Sequence, residues 1–215
     1  MIEANTYNLP DYKILHSEQE TVFHIWQPDN TYIVLGRSNR DLSQSVHTEQ
    51  AQNDHVEIYK RPSGGEAVVL SPDMLVISVK LPLENTLKTH QYFRYINHAI
   101  IRALKRAGIK NLKEKGISDI AIGPKKILGS SIYRKSDAIF YHAVLNISEP
   151  VSTISRYLKH PSREPDYRNG RDHDEFVTSL SKEGYEKTDV SILKKLLQES
   201  LNDLINKKAP EELLK

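Results

Sequence analysis

The chain has 215 residues, 38% of them hydrophobic and 27% charged, with a formal net charge of +2 and no cysteine. Such a length holds one large domain, or one with a small appendage, and its core needs neither disulfides nor a structural metal. The balanced charge gives no support to a nucleic-acid partner, and the missing cysteines exclude disulfides, thiolate metal sites and a cysteine nucleophile.

The N-terminal MIEANTYNLPDYK has no apolar signal core, and no run approaches a membrane span. The reading is a soluble, cytoplasmic protein without a membrane partner. Thr21 to Trp26 (TVFHIW) alternates like a half-buried strand, and Tyr32 to Leu35 (YIVL) reads as a buried one. With the turn residues Gln27 to Asn30 between them, the two suggest a hairpin. Val46 to Asn53 is helix-compatible, and Val56 to Tyr59 returns to strand character. Val68 to Leu70 and Leu75 to Val79 read as strands, with Ser71-Pro72-Asp73 turning between them. His90 to Ala107 carries Phe93, Ile96, Ile100, Ala103 and Leu104 at helical spacing, with Gly108 where a C-terminal cap belongs. Asp119 to Ile122 and Lys126 to Leu128 form a hairpin pattern around Gly123-Pro124, and Phe140 to Ile147 is a further strand. Pro161 to Gly170 reads as a polar loop. The last element is an apolar-striped helix over about 189–206, containing Leu193, Leu197 and Leu201 and capped by Thr188 or Asp189. Many short strands with a few helices predict an α+β or α/β fold, a mixed β-sheet flanked by helices.

Four stretches could carry chemistry. KRPSGGEAVVLS, Lys60 to Ser71, sets Arg61 and Ser63 beside Gly64 and Gly65. Adjacent glycines let a ligand approach the main chain, and the loop could offer amide donors to an anion. The spacing is not that of a P-loop, and a tight turn is the plainer reading. GPKKILGSSIYR, Gly123 to Arg134, places Lys126 among the small residues Gly129 and Ser130, where an ammonium could meet phosphate or an adenylate. A solvated hairpin is its bland counterpart. Asp119 could bring Mg²⁺ to a nucleotide, and His142 stands within an apolar strand, where a hydrogen-bonded core histidine is the commoner case. SREPDYRNGRDHDEF, Ser162 to Phe176, interleaves Arg163, Arg168 and Arg171 with acids. It is either a solvated loop or a lid over an anionic substrate.

The order of these segments resembles the lipoate–protein ligase family, within the biotin/lipoate ligase superfamily. HIWQPDNTYIVLGRSN is similar to the family's opening hairpin and GR-x-x-N segment, and KRPSGGEAVVLS to its RR-x-SGGGAV-x-H-D loop. ISDI resembles N-D-L, KKILGSS resembles K-[IV]-x-G-S-[AS], and FYHAVLNIS resembles the H-H-G-T-L-L strand. Glu66 stands for the third glycine, Leu70 and Ser71 for the His-Asp pair, and Ser118 for the asparagine; Tyr141 and Ala143 alter the His-His-Gly pattern.

The resemblance implies a fold like that of class II aminoacyl-tRNA synthetases and biotin synthetase. It implies one catalytic domain over 1–215 without a separate accessory domain, a function that a separate accessory subunit could supply. The activity implied is ATP-dependent ligation of lipoate or octanoate to a lysine of a lipoyl carrier domain, through an acyl-adenylate and with Mg²⁺. Lys126 would contact the adenylate, and Asp119 would lie near phosphate and Mg²⁺. Arg61, Ser63, Gly64 and Gly65 would line the acyl site. Gly129, Ser130 and Arg134 would continue the nucleotide wall, with His142 on the strand opposite. A different class of function, a non-catalytic acyl- or carrier-binding homologue, is motivated by Glu66 and Leu70. The absent cysteine excludes the thioester route of the superfamily's octanoyltransferases, and the missing GRGRRG-type loop disfavours biotin ligation.

Overall fold

The structure, a computed structural model, describes residues 3–84 and 86–206; the expected domain span of 1–215 runs past these. The chain opens with β1 (Asn5–Thr6) and a single helical turn, α1 (Tyr12–Leu15). β2 (Val22–Trp26), β3 (Tyr32–Leu35), the short helices α2 (Leu42–Ser45) and α3 (Thr48–Asn53), β4 (Glu57–Lys60), β5 (Val68–Leu70) and β6 (Met74–Pro82) follow. The long helix α4 (Thr89–Arg106) leads into β7 (Leu112–Lys115), β8 (Asp119–Ile122), β9 (Lys125–Arg134) and β10 (Ala138–Asn146). Then come α5 (Val151–Tyr157), α6 (His173–Phe176) and α7 (Val190–Asn206).

Among the described residues, ten strands form two sheets. One is antiparallel, in the order β2-β6-β10-β9-β8-β7; the other is mixed, in the order β1-β4-β3-β5. The class is α+β, as the element pattern predicts. α4 and α7 cover one face of the large sheet. Ile96, Ile100 and Leu104 meet Leu193, Leu197 and Leu201 over Leu75, Ile77, Tyr141 and Leu145, all of them buried. Gly108, at φ +88°, ends α4 in the left-handed region that favours glycine. Asp189 caps α7, its carboxylate accepting from the Ser191 and Ile192 amides at 2.8 and 3.2 Å. Ile192, in the first turn of α7, is exposed.

The opposite face of the large sheet packs against the small one. β6 is buried on both sides for this reason: Leu75, Ile77 and Val79 face the helices, while Met74 and Val76 join the side chains of β3 and β5. The expected hairpin of residues 21–26 with 32–35 does not form. β2 pairs antiparallel with β6, whereas β3 pairs parallel with β4 and antiparallel with β5. Residues 27–30 do turn the chain, but they carry it from one sheet to the other. Every residue of YIVL is buried, with Ile33 and Leu35 in one cluster and Tyr32 and Val34 in another, so the strand needs cover on both faces. A cavity opens between the sheets, and the segment 161–177 lies along it.

Candidate functional site

Lys126 reaches the cavity because β9 carries a bulge. Asp119 pairs with Gly129 and Ile120 with Leu128, but Ala121 pairs with Lys126, so Ile127 is the extra residue. Opposed residues share a face of the sheet. The shift therefore turns Lys126 to the side of Asp119 and Gly129; without it the lysine would enter the helix-covered core. The neighbour Gly129 makes room. A Cβ there would lie 2.6 Å from Lys126 Cε and 2.7 Å from Nζ. Lys126 Nζ stands 3.1 Å from Asp119 Oδ1. Ser118 also donates to Oδ1, at 3.3 Å, and the Tyr167 hydroxyl donates to Oδ2, at 2.8 Å. Burial first, the Asp119 charge second and that bond third raise the Tyr167 pKa well above the tyrosine range. Ser130 Oγ donates to the Ser118 carbonyl at 2.6 Å and ties the turn to β9. Phe176 is buried under three cations, with the Arg168 and Arg171 guanidinium carbons 4.8 and 5.2 Å from its ring centroid and Lys126 Nζ 5.9 Å away.

The glycine loop forms the facing wall, and Arg61 holds it in shape. The guanidinium donates to Ser63 Oγ (3.0 Å) and to the carbonyls of Val34 (3.1 Å), Gly64 (2.8 Å) and Glu66 (2.9 Å). Burial lowers its pKa to about 10. Arg61 lines the cavity, but these donors are spent on the loop itself. Gly65, at φ +90°, turns the chain, and its carbonyl lies where a side chain on Gly36 would stand. Ser131 Oγ donates to the Gly64 carbonyl at 2.9 Å, binding the loop to β9. Ser63 and Gly64 lie behind the cavity wall, and Arg134 is exposed at the far end of β9 without lining it.

Behind the loop lies a buried polar network that the sequence reading did not contain. Ser63 Oγ is 2.5 Å from His142 Nε2. Asp11 accepts from Tyr7 (2.7 Å) and Ser78 (2.8 Å), and His142 Nδ1 is 3.9 Å from it. Ser63, His142 and Asp11 have the order of a nucleophilic triad but not its properties. Ser63 Oγ accepts from the Arg61 cation and is fully buried, and His142 is pushed down to about 3, by burial first and by Arg61 second. A ring so hard to protonate is a poor general base. The network couples the N-terminal segment to the large sheet and to the glycine loop. Asp11 and Tyr7 carried no sequence signal, since their spacing matches no motif.

This burial has a pH signature. His142 and His173, pushed down to about 3 and about 4, stay neutral in the folded chain where the unfolded chain takes up protons. Their stabilising share is complete above the unfolded value of roughly 6.5 and is lost as pH falls through 4 toward 3. Denaturant midpoints are expected to fall between pH 7.5 and 5, with a slope of at most about 1.4 kcal/mol per unit for each ring. A flat profile would mean that the rings are open to solvent protons. Asp11, raised by burial, works in the opposite sense.

The cavity measures about 810 Å³. Val34, Val69, Leu70, Met74, Val76 and Val144 give it an apolar wall, and Asp119, Lys126 and Ser118 a polar end. The lipoyl protein ligase A/B catalytic domain model matches residues 11–202. The chain belongs to that family. A protein of Aeropyrum pernix assigned as a lipoate-protein ligase A is 30% identical over 168 residues, 74% of this chain and 61% of that one. The lipoate-protein ligase A of Psychrobacter cryohalolentis is 28% identical over 152 residues, 70% of this chain and 42% of its own. The chain thus spans less than two thirds of the length of these curated relatives. Among solved structures, a bi-partite lipoate protein ligase of Thermoplasma acidophilum superimposes with a TM-score of 0.77 at 17% identity, over 100% of this chain and 91% of that one. A lipoate-protein ligase A bound with ATP gives 0.76 at 18% identity, over 99% and 93%. These likenesses establish the ligase fold.

Proposed function

We propose that this ligase-family protein joins lipoate or octanoate to a lysine amine of a lipoyl carrier domain, through an acyl-adenylate. The observation that carries the reading is the cavity itself, an apolar channel ending at the Asp119–Lys126 pair. A medium-chain acid lies along the valines with its carboxylate toward Lys126. Relatives of the same fold have been solved with lipoic acid and with ATP bound.

In the first step a carboxylate oxygen attacks the α-phosphorus of ATP, and pyrophosphate leaves. In the second the carrier amine attacks the acyl carbonyl; AMP departs with the bonding electron pair, and the amine proton passes to solvent. Lys126, turned into the cavity by the bulge, offsets charge on the attacked phosphate and on the departing AMP. To do so its ammonium exchanges Asp119 for substrate oxygens, while Tyr167 and Ser118 keep the carboxylate in place.

Among the described residues no group of three His, Cys, Asp or Glu could hold a metal alone. One carboxylate suits Mg²⁺ arriving with a nucleotide, and Asp119 would be the residue to hold it. The ion supplies charge neutralisation there. A separate carrier and an accessory subunit fit the description of the Thermoplasma relative, a bi-partite ligase with its E2 lipoyl domain. No described helix is long and apolar enough to cross a membrane.

The non-catalytic alternative has one structural support: Leu70 and Ser71, at the His-Asp positions, are both buried, and Leu70 is part of the apolar cavity wall. Intact-mass measurement of an apo lipoyl domain incubated with the protein, Mg-ATP and either acid separates the two. The ligase reading expects an ATP-dependent adduct. Acyl or carrier binding without ATP use or adduct, with accessory protein supplied, would establish the alternative.

A further inference from the structure

We propose that Arg163 grips the phosphates of the nucleotide and that Glu66 is the residue that positions it. This rests on the ligase reading and assigns two residues within it. Four Lys or Arg side chains line the cavity: Arg61, Lys126, Arg163 and Arg168. Three are engaged. Arg61 braces the glycine loop, and Lys126 is paired with Asp119. Arg168 lies on Phe176 and bonds the Arg171 carbonyl (2.8 Å), with Glu164 at 3.4 Å; its Nη2 has no partner but is sealed from solvent. Among the described residues, the Arg163 guanidinium makes no hydrogen bond, ion pair or ring contact. The residue is exposed and lines the cavity.

Its backbone, in contrast, is held. Glu66 Oε1 accepts from the Arg163 amide and from Ser162 Oγ, both at 3.2 Å, and Oε2 accepts from Asn39 Nδ2 at 3.3 Å. The main chain of Glu66 is fixed in turn by Arg61. One carboxylate thus joins the glycine loop, the Gly36–Asn39 turn and the segment along the cavity. A glycine at 66 could make none of these bonds. Four residues beyond Arg163, Tyr167 fastens the same segment to Asp119. Arg163 is therefore an unspent planar cation on a backbone anchored to both sides of the site. Such a fork suits phosphate oxygens.

The test titrates Mg-ATP into the wild type, Arg163→Ala, Glu66→Gly, Glu66→Gln and the double variant R163A/E66G, and follows transfer to the carrier. Arg163→Ala is expected to weaken ATP binding and raise its KM about tenfold, the loss of a charge-assisted bond, with the KM of the acyl acid unchanged. Glu66→Gly should weaken ATP binding about threefold, and the double variant should lose no more than Arg163→Ala, because Glu66 acts through Arg163. Glu66→Gln keeps an acceptor for the Arg163 amide and should recover most of the loss. Hydrogen exchange at residue 163 should speed up in Glu66→Gly and not in Arg163→Ala. The proposal is overturned if Arg163→Ala binds ATP as the wild type does, if the loss falls on the acyl acid, or if the two single losses add. A wild type that neither binds ATP nor transfers would overturn the ligase reading and this assignment with it. Wild-type transfer with unaffected variants would overturn this assignment alone.

Discussion

Replacing Lys126 by alanine is expected to lower carrier acylation about a thousandfold while the protein remains folded. The activity loss follows from position. The ammonium is the cation that the bulge in β9 delivers to the polar end of the cavity, and the other cations lining it are braced elsewhere or stand on the 161–177 segment. The folding cost is modest because the side chain is 28% exposed and Asp119 keeps Tyr167 and Ser118 as donors. Losing a hydrogen bond to a charged group costs about 1–3 kcal/mol. Lys126→Ala/Asp119→Asn should restore that stability and leave transfer absent. Intact-mass assays beside thermal scans read both effects. Transfer at the wild-type rate in Lys126→Ala would remove the chemistry from this pair altogether.

Gly129→Ala should produce nearly the same defect with the lysine intact. The added methyl would overlap Lys126 Cε and Nζ, at 2.6 and 2.7 Å, and lie 3.7 Å from Asp119 Oδ1. What it strikes is the free end of a flexible chain, so Lys126 swings away and the strand stays. The expected cost in stability is under about 1 kcal/mol, since the backbone is strand-like and alanine is no worse there than glycine. The expected cost in transfer is about a hundredfold, because a displaced charge no longer faces the transition state. A large fall in melting temperature would instead make Gly129 a packing residue. Full activity would show that the lysine acts from another rotamer.

The two mutations show how much of the site was legible beforehand. KKILGSS marked the lysine and the glycine as a unit, and ISDI marked the aspartate. What joins them, the bulge at Ile127, has no sequence signature, because a bulge is a mismatch between two strands and neither strand contains it alone. Arg61 was expected to serve the acyl group's carboxylate. The structure shows it bonded to carbonyls of the loop and of β3, since a guanidinium surrounded by unpaired backbone oxygens satisfies them first. Glu66 stood in the sequence only as a departure from the family's third glycine. Its carboxylate accepts from Asn39 and from the segment nearly a hundred residues downstream.

By itself, the sequence determined the element types, the α+β class, the family segments and the exclusion of thiol chemistry. Periodicity, turn residues and composition are local, and they act before any long-range contact forms. The tertiary structure alone decided which sheet each strand joined, so that the apparent hairpin of 21–26 and 32–35 became the crossing between two sheets. Among the described residues it also decided which cations of the cavity are spent and which is free, and that Tyr7, Asp11, Ser78, Ser63 and His142 share one buried network. Such outcomes depend on burial and on where each polar atom finds its partner. Distant strands set both when they pair, and no window of the chain contains them.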